Sequence, residues 1–129
     1  MTTGLSREFA YRDKKLGDTE AISVATAADV FYPTATTMLL LRAARRGLVQ
    51  RPRALLDLGC GCGIVAIVLA KCVEPDVQVY ASDLSAAAVR LARYNARRQD
   101  VRIDCQRCRG VGPHFLHWRE ARMNPNESR

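Results

Sequence analysis

The sequence predicts an α/β fold, a parallel sheet with flanking helices, on three observations. Leu55-Leu56-Asp57-Leu58 runs into Gly59-Cys60-Gly61-Cys62-Gly63 and then into the apolar stretch 64–70, which reads as strand, glycine turn and helix. The same alternation then repeats, with a strand over 77–82, a helix over 86–98 and a short third strand over 101–105. Finally, Asp83 follows directly on the second strand, about twenty residues after the last glycine. Strands and helices that alternate in this way imply right-handed crossovers and parallel pairing.

The totals set bounds on this reading. At 129 residues the chain supports one domain with one modest core. A hydrophobic content of 48% argues against global disorder. Lys and Arg number 20 against 13 Asp and Glu, a net charge of +7. That balance fits acidic partners such as RNA or a ribosome, and it fits equally a charge carried for solubility. Residues 1–15 contain no apolar segment of the kind a signal peptide needs, and the longest apolar run, 64–70, is far too short to span a bilayer. Cysteines number five, an odd count, with two inside the glycine turn. This is a reduced, cytoplasmic pattern and not a disulfide framework.

Residues 1–28 form a lead-in segment. Within it 7–11 suits a short strand, 14–19 a turn around Gly17, and 21–25 alternates weakly. Val30-Phe31-Tyr32-Pro33 is extended, because Pro33 pushes Tyr32 away from helical geometry. A helix therefore starts after Pro33, with Thr34, Thr36 and Thr37 as candidate N-caps. It ends near Gly47, with Arg42, Arg45 and Arg46 in its later turns, where cations suit the helix dipole.

The first sheet strand, 54–58, is apolar on both faces, as a central parallel strand should be. The helix after Gly63 is apolar all round and should be buried on more than one side. Ser85 caps the next helix, in which Ala88, Val89, Leu91 and Ala92 line the core. Arg90, Arg93, Arg97 and Arg98 recur on its other side, as a solvated face or an RNA track. After Gln106 no period persists, and residues 106–129 read as an irregular tail.

Three glycines at alternate positions let a backbone approach a ligand without side chains in the way, and the helix behind them offers free N–H groups. The spacing is G-x-G-x-G, and Ile64 stands where a dinucleotide fingerprint has its third glycine. No Gly-Lys-Ser/Thr follows, so a triphosphate loop is not indicated. A glycine turn between strand and helix, with an acid ending the next strand, is how an α/β sheet holds a nucleoside-bearing cofactor.

The motif 57–63 resembles the first motif of class I S-adenosylmethionine-dependent methyltransferases. Ala81-Ser82-Asp83-Leu84-Ser85 and the helix after it resemble their second. The resemblance implies a Rossmann-like fold and S-adenosyl-L-methionine as cofactor. It also implies that the turn, with Gly59, Cys60, Gly61 and Gly63, passes under the methionine and ribose. Asp57 would orient the turn and the methionine amino group, Asp83 would accept from the ribose hydroxyls, and Leu84 would pack by the adenine. Asp83 has a structural alternative, as a capping acid next to Ser85. Residues 29–41 are similar to the segment before the first motif in HemK-like glutamine methyltransferases and small-domain RNA methyltransferases. There a threonine lies near the cofactor, and here it would be Thr36 or Thr37. The alternative is plain N-cap chemistry.

The resemblance covers 29–105, the cofactor-binding half of such a domain. The acceptor motif Asn-Pro-Pro-Tyr of the HemK-like group is absent, and Asn124-Pro125-Asn126 lacks the apolar strand that should precede it. An acid after the third strand is missing too, with Gln106 or Arg107 near its place. The expectation is therefore a fold whose C-terminal half is missing, truncated or frameshifted after Cys105, with one edge of its first strand open. Cys105, Cys108, His114 and His117 approach zinc-ligand spacing, but the loop between the pairs is too short to favour a metal. The function implied is methyl transfer to a nitrogen of a protein or RNA substrate, ribosomal or otherwise related to translation. The alternatives are an inactive module completed by a partner chain, and a small basic RNA-binding protein.

Overall fold

The computed structural model describes residues 7–12 and 21–108. The elements run β1 (Glu8–Tyr11), β2 (Ile22–Ala25), α1 (Ala35–Gly47), a single 3-10 turn (Leu48–Gln50), β3 (Ala54–Leu58), α2 (Ile64–Cys72), β4 (Gln78–Asp83), α3 (Ala86–Arg98) and β5 (Asp104–Arg107). The expected turn around Gly17 and the tail from 109 onward, with His114, His117 and Asn124, lie outside the described residues.

β1 and β2 form an antiparallel hairpin in which Glu8 faces Ala25 and Tyr11 faces Ile22. The second sheet is parallel, in the order β3-β4-β5. Leu55, Val79, Ala81 and Cys105 share one of its faces, and α2 and α3 cover that face through Ala66, Val89 and Ala92. α2 is apolar all round because it has neighbours on every side. Ile64, Val65, Ile67 and Val68 pack with Leu41 of α1, Val24 of β2 and Ala96 of α3.

The structure fixes the place of β3 and moves two element ends. β3, apolar enough for a central strand, lies at the edge of the described sheet, half-buried along most of its length, and β4 takes the middle. The third parallel strand runs Asp104–Arg107 and not 101–105, so Gln106 and Arg107, expected in the irregular tail, pair with Ser82 and Asp83 of β4 instead. The cause is the end of α3, where Asp100 adopts a left-handed φ of 53°. Val101 N–H donates back to Ala96 O (3.1 Å), so the chain is still closing the helix where the strand was expected. Lastly, α1 does not end in a left-handed glycine. It passes through Gly47 into the 3-10 turn, and Arg51, at φ 50°, makes the reversal before Pro52.

The arginines of α3 are exposed, and two of them are tied into the fold. Arg93 donates to Cys105 O through Nε and Nη2 (3.1 and 2.6 Å). Arg98 pairs with Glu8 at 2.8 Å and lies over the Tyr94 ring. No helix among the described residues is long and apolar enough to cross a membrane.

Candidate functional site

The glycine turn lies at the C-terminal ends of β3 and β4, where open α/β sheets bind ligands. Its backbone is held against β4: Gly59 and Cys60 N–H both donate to Ser82 O (2.8 and 2.9 Å). Gly59, Gly61 and Gly63 have φ values of 71°, 54° and 91°, which L side chains rarely adopt. The glycines serve different ends. A Cβ on Gly59 would meet open space, whereas one on Gly63 would lie 3.1 Å from Ala92 Cβ, so Gly63 lets α2 and α3 close on each other.

Asp83 fixes the turn from the neighbouring strand. Its Oδ2 accepts from Gly61 N–H (2.9 Å) and its Oδ1 from Ser85 N–H (2.9 Å). Ser85 Oγ in turn accepts from Ala88 N–H (3.2 Å) and caps α3. Asp83 is thus a structural acid beside Ser85, and each oxygen keeps a further lone pair. The far side of this junction is held by β5, where Arg107 Nε donates to Leu84 O (2.8 Å) and Cys108 N–H to Asp83 O (3.1 Å). Of the two residues near the place of the missing acid, Gln106 and Arg107, it is Arg107 that meets the Asp83–Leu84 junction.

Asp57 is unlike Asp83. Its Oδ2 is buried with no hydrogen-bond partner among the described residues. Burial pushes its pKa up to about 6, a backbone hydrogen bond from Ala66 pulls the other way, and the Asp83 charge adds to the rise. A buried acceptor left unsatisfied costs about 1–3 kcal/mol.

A cleft of about 230 Å³ brings Asp57, Gly59, Cys60, Gly61, Asp83 and Thr37 together. The N-cap of α1 is Thr34, and Thr37, in the first turn, lines the cleft while its Oγ1 accepts from Thr34 N–H (3.0 Å). Thr36 is exposed and lines no part of the cleft. Gly63 sits behind it, against Ala92. Leu84 follows Asp83 at the rim and is 59% exposed, an apolar surface left open beside the site. Two wider depressions, of about 770 and 1000 Å³, share Val77 and Gln78 at the opposite end of the strands, away from the glycine turn.

Two residues were not singled out from the sequence. Asp29 brings a third carboxylate to the cleft beside Asp57 and Asp83, in a chain whose net charge is +7. Asn95, fully buried in α3, donates through Nδ2 to Cys62 O and to Ala25 O (both 2.9 Å) and accepts from Ala25 N–H (2.8 Å). A signal for Asn95 was available: it falls seven residues after Ala88 on the apolar face, where a polar side chain needs a partner.

The cysteines of the turn are not activated. Burial, with the Asp57 charge nearby, pushes the Cys60 thiol far above its ordinary value, and burial also raises Cys62. No group of His, Cys, Asp and Glu among the described residues is arranged to hold a metal.

Known proteins match this arrangement. The family model for the methyltransferase small domain matches residues 22–111. The release factor glutamine methyltransferase of Bordetella pertussis is 42% identical over 83 residues, which is 63% of this chain and 30% of that protein. The ribosomal protein L11 methyltransferase of Allorhizobium ampelinum is 39% identical over 72 residues, 56% of this chain and 20% of that one. The chain thus spans less than a third of the length of these relatives. In fold it is similar to the Pyrococcus abyssi tRNA (uracil-54, C5)-methyltransferase, solved in complex with S-adenosyl-L-homocysteine. The TM-score is 0.56 at 23% identity, over 78% of this chain and 24% of the other. The matched segment takes in the hairpin strand β2, the glycine turn, Asp57 and Asp83, and by it the chain belongs to the methyltransferase small domain family.

Proposed function

We propose that this chain carries the S-adenosylmethionine-binding half of a methyltransferase site, and that the methyl group goes to a nitrogen of a protein or RNA of the translation apparatus. The observation that carries the cofactor reading is Asp57 Oδ2, buried and without a partner among the described residues, in a residue that lines the same cleft as Asp83. A carboxylate so placed fits an ammonium group, and Asp57 would hold the amino group of the methionine moiety. The remaining lone pairs of Asp83 suit ribose hydroxyls, and exposed Leu84 suits one face of an adenine. Gly59 and Gly61 keep that approach free of side chains. Asp29 adds charge of the sign that favours a cationic ligand in an otherwise basic chain.

When bound, the cofactor supplies a sulfonium-linked methyl that is already a strong electrophile. The protein's part is then to orient it and to keep water out. The nitrogen acceptor and the link to translation are supported by relatives whose names give glutamine of a release factor and ribosomal protein L11 as their targets.

One observation favours a second reading, that of a binding module completed by another chain. β3 is paired on one side only among the described residues, and a strand edge of that kind is a template for a further strand. Co-purification with a protein that adds a strand there would favour this reading.

The test of the cofactor reading is calorimetric titration with S-adenosylhomocysteine, with Asp83→Ala as control. Saturable binding that the substitution abolishes is expected. A folded chain that gives no heat at any concentration up to the solubility of the ligand would sink the proposal.

A further inference from the structure

Helix α3 meets the hairpin along the outer side of β2, the side that β1 leaves free. Asn95 takes the N–H and the C=O of Ala25 together, as a neighbouring strand would. One turn further, Gln99 Nε2 donates to Ser23 O (2.7 Å). Residues four apart on a helix and two apart on a strand are both about 6–7 Å apart, so the two amide side chains fit alternate positions of β2. Gln99 touches only the hairpin in this way. Asn95 also reaches the glycine turn, through the Cys62 carbonyl. Cys62 precedes the residue that caps α2, so the ladder of that helix does not use its carbonyl. Cys62 is also buried, with 2% of its surface exposed.

We infer that Asn95 is a positioning residue: by bridging Ala25 of the hairpin to Cys62 of the glycine turn, its side chain locks the conformation of the turn that presents Gly59 and Gly61 to the ligand. Both amide hydrogens and the oxygen are used, so no other residue type of this size reproduces the bridge. Leucine has the volume and none of the bonds. Aspartate keeps the acceptor for Ala25 N–H and turns an oxygen against the two carbonyls. The meaning of this for cofactor binding rests on the function proposed above. The effect on the turn does not.

The experiment is amide hydrogen exchange on the free chain, for wild type, Asn95→Leu and Gln99→Ala. In Asn95→Leu the Gly61 and Gly63 amides should exchange about tenfold faster or more, as expected for loss of a buried hydrogen bond, while the β3 and β4 amides change less. Gln99→Ala should speed exchange in the hairpin and leave the turn as it was. Equal acceleration at all sites in Asn95→Leu, or no change at Gly61 and Gly63, would overturn the inference. Should Asn95→Leu fail to fold, the wild-type chain decides: the Ala25, Gly61 and Gly63 amides should open with one common free energy. Independent opening of Ala25 overturns the inference. Titration with S-adenosylhomocysteine adds a separate arm, in which folded Asn95→Leu should bind about tenfold more weakly and Gln99→Ala as wild type. If wild type itself does not bind, the cofactor reading fails and the exchange result still decides the role of Asn95.

Discussion

Asp57 lies in register with Ala81, so Asp83, two residues further along β4, points from the same side of the sheet one pleat nearer the turn. The two acids divide the work. Asp83 has both oxygens engaged by backbone N–H groups, and its charge adds to the burial that raises Asp57. An acid whose oxygens brace the turn and the start of α3 therefore stands next to one whose proton is held more tightly by burial.

The first consequence is a stability that depends on pH. The folded-state pKa of Asp57, about 6, exceeds its value of about 3.9 in an unfolded chain, so the folded state holds this proton more tightly. Its contribution is most favourable below pH 4 and is lost as pH rises from 4 through 6. Asp57→Asn should remove this dependence, gaining on the order of 2 kcal/mol relative to wild type at pH 7 after allowance for partial exposure. Urea denaturation at pH 4.5, 5.5 and 7 measures it. Parallel curves for the two proteins across that range would contradict the assignment.

Ligand affinity should depend on pH in the opposite sense. An ammonium group binds the charged form of Asp57, so S-adenosylhomocysteine should bind more tightly as pH rises through 6, with up to about a tenfold gain per pH unit below it. Titration at pH 5.5 in two buffers of different ionisation enthalpy should register protons released on binding. An affinity that is flat from pH 5 to 7 would place the amino group somewhere other than Asp57.

The glycines of the turn should differ in what an alanine costs them. Gly59 faces open space, and Gly59→Ala meets only the left-handed backbone, about 1–2 kcal/mol. Gly63→Ala adds a Cβ at 3.1 Å from Ala92 Cβ and 3.2 Å from Ala92 Cα, between two packed helices. It should cost about 2–4 kcal/mol in total. Denaturation midpoints of the two variants rank them. A Gly59→Ala variant as unstable as Gly63→Ala would mean that backbone strain, and not the contact of α2 with α3, dominates.

Local chemistry was legible where it acts over a few residues. Pro33 placed the start of α1, Ser85 capped α3, and the alternation from 54 onward marked out the parallel sheet. Effects that depend on distant partners were not legible. β5 starts late because Asp100 takes the left-handed position usually given to glycine, which identity alone does not reveal. The partners of Asn95 lie 70 and 33 residues away, at Ala25 and Cys62, so the periodicity of α3 exposes the anomaly without naming what satisfies it. Asp83 suited both capping and ligand binding in the sequence. In the structure its two oxygens brace the turn and the start of α3, and the residue also lines the cleft.

The two cysteines of the turn invite a chemical role that the structure opposes, and alkylation separates the possibilities. Cys60, Cys62 and Cys105 are buried, while Cys72 and Cys108 are half-buried. Burial raises the Cys60 and Cys62 thiols and pushes Cys105 up to about 11, with Arg93 only partly offsetting it. Since the thiolate is the reacting form, all three should resist iodoacetamide at pH 8 in the native chain. Cys72 and Cys108 should be modified first, and urea should release all five. Peptide mass spectrometry over a time course reads the order directly. Rapid native labelling of Cys60 would mean that the turn opens to solvent far more often than its bonds to Ser82 and Asp83 allow.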